Sequence, residues 1–155
     1  MKDYNYHIGL KLRIYPSDKQ KKIIKMNGGA SRYIYNKLVA DNNEMYELKK
    51  TAIFSIADKE RLEFLESIHS SKSNMLVMIP FLSQKEIDSD MIDNAIQNYK
   101  MAWNQFRKVK GSSVPTFHKK DNTYFYKTSN HYGKIRNDGL KDGSIYFIDE
   151  NHINL

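Results

Sequence analysis

Side chains able to do catalytic chemistry are sparse in this sequence. Five histidines, His7, His69, His118, His131 and His152, stand far apart. None forms an HxxxH or HExxH pair, so no helix presents two of them on one face as a metal site needs. Asp88, Asp90 and Asp93 could be read as metal ligands, but they fall where a helix is predicted to start, and acids there cap and complement the first turn. The absence of cysteine excludes a disulfide scaffold, a thiol nucleophile and any zinc or iron–sulfur site built on thiolates. There is no Walker-type phosphate loop and no nucleophile elbow. No nucleophile–base arrangement emerges, so no catalytic residue, metal or cofactor is expected.

Cations and aromatics are plentiful instead. The 155 residues carry 25 Lys+Arg against 18 Asp+Glu, a formal charge of +7, and eleven tyrosines; the isoelectric point is near 9.4. Residues 1–37 hold nine basic and two acidic residues, 38–98 six and eleven, and 99–155 ten and five. Two basic ends thus flank an acidic middle. That asymmetry suggests a polyanionic partner, with lysines and arginines on phosphates and tyrosines stacked on bases or sugars. A plain solvated surface is the competing reading.

The elements that must position these groups read as strand, helices, then strands. Residues 6–14 alternate, with Tyr6, Ile8, Leu10, Leu12 and Ile14 on one side and His7, Gly9, Lys11 and Arg13 on the other, the period of a half-buried strand. Pro16 ends it. Ser17 followed by Gln20 is a capping box. The helix it opens is expected to stop at Gly28-Gly29, and a second to run from Ala30 or Ser31 to about Lys50, a helix-turn-helix-like start. A third helix is predicted over Ser55–Ile68, a loop over 69–74, and a chain break at Pro80. The strongest helical pattern starts from a Ser89 cap and places Ile92, Ala95, Ile96, Tyr99, Ala102, Trp103 and Phe106 on one face, with Arg107, Lys108 and Lys110 at its C-terminal end. Strand propensity returns over Thr123–Thr128, Lys134–Arg136 and Ser144–Asp149. The final residues, HINL, look like a strand without a partner, an edge through which the chain could self-associate. The longest apolar run, Met75–Leu82, is too short to span a bilayer, and the N-terminus lacks a signal-peptide pattern. A cytoplasmic chain is expected, nucleoid-associated if it binds DNA, without a membrane partner.

Four segments in order resemble the OrfB/TnpB family of insertion-sequence proteins, the transposon-encoded RNA-guided nucleases related to type V CRISPR effectors. They are KLRIYPSDKQKKII (Lys11–Ile24), GGASRYIYNKLVA (Gly28–Ala40), IDSDMIDNAIQNYKMAWNQF (Ile87–Phe106) and VPTFHKKDNTYFY (Val114–Tyr126). The resemblance implies an α+β fold: a partial β-barrel (an OB-like wedge) split by an inserted helical recognition domain. Residues 1–16 would be the first barrel strand, 17–112 the insertion and 113–155 the return strands. It further implies that the RuvC-like catalytic domain and its zinc ribbon lie C-terminal to these segments, so this chain is expected to bind nucleic acid without being an enzyme itself.

The resemblance also implies which side chains would touch guide RNA or target-adjacent double-stranded DNA. Lys11, Arg13 and Tyr15 fall in the opening motif, and Lys19, Lys22, Lys25, Arg32 and Lys37 on the first helices. Ser89 and Asn94 stand at the start of the long helix, with Asp93 beside them as an acid that repels phosphate. His118, Lys119, Lys120, Tyr124, Tyr126 and Lys127 form a basic-aromatic return segment; the acidic stretch 58–66 would be a solvated outer face. Two other readings stay open: a decayed or structural fragment with no activity of its own, and a small helix-turn-helix DNA-binding regulator.

Overall fold

A computed structural model describes residues 13–120 and 126–128 and the backbone of 144–146 and 152–154. Helices α1 (Asp18–Thr51), α2 (Ile56–Ile68), α3 (Lys72–Met78) and α4 (Ser89–Lys108) dominate, with a 3-10 turn at Pro80–Ser83. The expected α+β partial barrel is overturned. Apart from an isolated bridge at Tyr15, the β structure among the described residues is one antiparallel ladder, β1 (Ser144–Tyr146) against β2 (His152–Asn154), with Ile145 opposite Ile153. The last strand therefore has a partner, against expectation. Much of the alternating segment 6–14, the region 121–125 and the segment 134–136 lie outside the described residues.

The chain divides into two compact units, residues 1–21 with 130–155, and residues 22–129. In the first, the capping box forms as read: the Ser17 backbone N–H donates to Gln20 Oε1 at 2.8 Å, and the Gln20 N–H to Ser17 Oγ at 3.3 Å.

The second unit holds the core. The expected stop at Gly28-Gly29 does not occur; α1 runs through both glycines without a turn. Each glycine costs a helix about 1 kcal/mol relative to alanine. Opposing this, Ile23, Ala30, Ile34, Leu38 and Met45 bury one face of the helix, and full burial of each large side chain contributes about 1.5–3 kcal/mol. Burial wins, and the turn falls instead at residues 52–54. Ala30, Ile34, Tyr35, Leu38 and Val39 of α1 pack in one cluster with Met75, Ile79, Leu82 and Ile87, and with Met91, Ile92, Ala95, Ile96 and Tyr99 of α4.

Two further boundaries differ from expectation. The predicted loop over 69–74 yields to α3, because Ser71 caps it by accepting from the Asn74 N–H. Asp88 rather than Ser89 is the N-cap of α4, accepting from the Asp90 N–H at 2.8 Å. Helix α2 starts as predicted, with Ser55 accepting from the Asp58 N–H. Arg61–Glu44 (2.7 Å) and Lys49–Glu66 (2.9 Å) ion pairs tie α2 to α1. Glu60, Glu63 and Glu66 are exposed, the solvated acidic face anticipated for 58–66.

Candidate nucleic-acid interface

An uninterrupted α1 puts Lys22, Lys25, Gly29, Arg32 and Asn36 at successive spacings of three and four residues, which is one stripe of a helix surface. Lys22 and Lys25 are exposed and Gly29, Arg32 and Asn36 partly so. This stripe faces away from the buried stripe of Ile23, Asn27, Ala30, Ile34 and Leu38. Breaking the helix at the glycines hides this register, which is why Gly29 and Asn36 escape a sequence reading of the site. Lys37 is different. It is half-buried and forms an i,i+4 ion pair with the buried Asp41, so its charge is already matched.

Asn36 is the hinge of the arrangement. Its Oδ1 accepts from the His118 backbone N–H at 2.8 Å, and its Nδ2 donates to the His118 carbonyl at 3.0 Å. A side-chain amide thereby offers the donor–acceptor pair that a neighbouring strand would offer. The segment around His118 is thus clamped to a helix, and no strand is assigned over 113–120. The His118 ring stacks on Tyr35, with centroids 3.9 Å apart and planes within 8°; Tyr35 in turn meets Tyr99 of α4 edge-on at 6.1 Å. Burial holds the His118 imidazole below its usual pKa and raises the Tyr35 hydroxyl. Lys119 and Lys120 follow immediately and are exposed. The clamp therefore delivers two cations beside Asn36, one turn from Arg32. None of Lys22, Arg32, Lys119 and Lys120 makes an ion pair among the described residues.

The far end of the return segment is seated on α4. Asn94 Nδ2 donates to the Lys127 carbonyl at 3.3 Å as well as to the Asp90 carbonyl, and Thr128 Oγ1 donates to Asp88 Oδ2. Tyr126 packs against the core; burial, aided by the nearby Asp88 charge, pushes its hydroxyl up to about 12. Asn94 and Tyr126 thus hold the segment down, while Lys127 stays exposed. Ser89 and Asp93 are gathered by Lys72, whose Nζ lies 2.7 Å from Ser89 Oγ and 2.6 Å from Asp93 Oδ2. That lysine neutralises the acid that the sequence placed awkwardly at this helix start.

The remaining expected residues fall elsewhere. Arg107, Lys108 and Lys110 are exposed at the C-terminal end of α4, where cations complement the helix dipole; Arg107 lies 6.0 Å from the Trp103 ring centroid. Arg13, Tyr15 and Lys19 are exposed in the first unit, with the Arg13 guanidinium 5.2 Å from the Tyr15 ring centroid. Lys11 and Tyr124 lie outside the described residues. Among the described residues no three His, Asp or Glu side chains converge as a metal-binding group, and no described helix is long and apolar enough to cross a membrane.

One buried polar residue that carries no sequence signal joins α1 to α4. Asn27 is fully buried. Its Nδ2 donates to the Ile23 and Glu86 carbonyls at 3.0 and 2.8 Å, and its Oδ1 accepts from the Asp88 N–H at 2.8 Å. It fastens the middle of α1 to the start of α4.

Among known families, residues 4–51 match the model of a helix-turn-helix domain, that of OrfB from IS605-type elements. The matched span takes in all of α1, including the Lys22–Asn36 stripe, and ends with it at Thr51. No curated protein and no solved structure matches the chain.

Proposed function

From the match of residues 4–51 to the helix-turn-helix domain of OrfB from IS605-type elements, we propose that the chain binds double-stranded DNA through the α1 stripe of Lys22, Lys25 and Arg32 together with Lys119 and Lys120. The observation that carries this reading is the Asn36–His118 clamp. It fastens the His118 backbone, with Lys119 and Lys120 next in sequence, to Asn36 of α1, 82 positions away. Contacts of this kind neutralise phosphates and fix register without reading bases. In the fuller reading the same cations also hold a guide-RNA scaffold; the four ordered segments resembling OrfB/TnpB proteins support that part. The chain itself is assigned no catalytic role.

The test is a mobility-shift titration of the full chain with a duplex and, in parallel, a structured RNA, at low and moderate salt. Duplex binding that weakens with salt, and weakens further in Arg32→Glu, is the expected result; absence of binding to the duplex overturns the reading, and binding to RNA alone replaces the duplex as partner.

A second reading, an interaction module without nucleic-acid affinity, is favoured by Ile53, Phe54 and Ile56, three large apolar side chains exposed around the turn between α1 and α2. It predicts concentration-dependent association that Phe54→Ser reduces and salt does not, measured by light scattering.

A further inference from the structure

We propose that Gly29 is the point where a sugar–phosphate strand of duplex DNA crosses α1, lying against bare helix backbone; this deepens, and rests on, the DNA-binding reading above. Gly29 sits inside a 34-residue helix, where glycine is markedly less favourable than alanine. Nothing among the described residues calls for it. A Cβ built at this position meets no atom within 4 Å. The backbone there is ordinary right-handed helix, the positive φ of a described glycine being confined to Gly111. A glycine that neither packing nor backbone geometry requires is a place where something outside the chain comes close.

The surroundings say what that is. Lys25 precedes Gly29 by about 6 Å along the axis and Arg32 follows by about 4.5 Å, from a rise of about 1.5 Å per residue; Lys22 stands one turn beyond Lys25. Cationic residues thus flank, before and after it on the same stripe, a position with no side chain of its own. A phosphate strand laid there touches backbone, and its neighbouring phosphates meet the flanking cations. Past Arg32, Asn36 occupies the stripe with its clamp on His118, and Lys119 and Lys120 extend the cationic border.

The experiment pairs stability with affinity in the full chain for Gly29→Ala and Gly29→Leu. Gly29→Ala is expected to melt no lower than the native chain, because the added Cβ meets no atom within 4 Å and favours helix. Gly29→Leu is expected to bind the duplex about tenfold more weakly or worse, the scale of one good contact, and to do so equally for unrelated duplex sequences; Gly29→Ala falls in between. Native duplex binding that Arg32→Glu weakens but Gly29→Leu leaves unchanged overturns the Gly29 contact alone. A lower melting temperature for Gly29→Ala also overturns it, because the glycine would then serve the fold. Failure of the native chain to bind duplex overturns the DNA-binding reading itself.

Discussion

The Asn27 amide makes three hydrogen bonds from a fully buried position, and a buried partner left unsatisfied costs about 1–3 kcal/mol. Asn27→Ala strands the Glu86 carbonyl and the Asp88 N–H together, so a loss of about 2–4 kcal/mol is expected in urea unfolding. Titrating groups make a second residue-scale prediction. His69 Nε2 lies 3.0 Å from the Tyr99 hydroxyl. Burial pulls the His69 imidazole below its ordinary value, with Asp41 opposing and Lys37 and Lys100 assisting. A histidine whose folded pKa is depressed releases protons on folding, so stability is full above about pH 6.5 and falls as the solution is acidified below it. Tyr99 and Tyr126, both pushed up to about 12 chiefly by burial, act at the other end. They favour the neutral hydroxyl in the folded state, and stability falls as pH rises past about 10. The melting temperature should therefore form a plateau between these limits, and His69→Phe should flatten its acid side. An unchanged acid limb in that variant contradicts the assignment to His69.

At the scale of elements, what was legible in the sequence is what is local. The Ser17/Gln20 capping box, the Ser55 cap of α2 and the buried stripe from Ile92 to Tyr99 are each written within one or two turns of chain, and each is found in the structure. The glycine pair misled because a turn signal is also local, whereas the burial that overrides it comes from α3 and α4. The clamp was illegible for a different reason: a polar side chain that pairs with a distant backbone leaves no periodicity. The residues 36 and 118 were visible only as members of separate motifs. At 118 and 127 the return segment gives its backbone groups to Asn36 and Asn94 of helices α1 and α4. The return segment should accordingly detach when the clamp is cut. Asn36→Ala is expected to speed proteolysis within 112–120 while changing global unfolding by about 1 kcal/mol, the net worth of such bonds at a partly exposed site. Leu38→Ala, which opens the fully buried α1 face, is expected to cost about 2–5 kcal/mol.

For the whole molecule, the claim is that the +7 excess is organised rather than diffuse. The acidic middle of the sequence is spent on ion pairs such as Glu44–Arg61 and Glu66–Lys49 and on the outer face of α2. The cations at Lys22, Arg32, Lys119 and Lys120 are left without such partners among the described residues. Counterion release makes this countable, because each phosphate neutralised contributes about −0.9 to the slope of log affinity against log salt on B-form DNA. The most direct measurement is that slope between about 50 and 200 mM salt, for the full native chain and for Lys119→Ala/Lys120→Ala. A steep native slope, shallower by about two units in the double variant with the loss shared across duplex sequences, is predicted. No duplex binding by the native chain at the lower salt, or a slope that the double substitution leaves unchanged, would contradict the account.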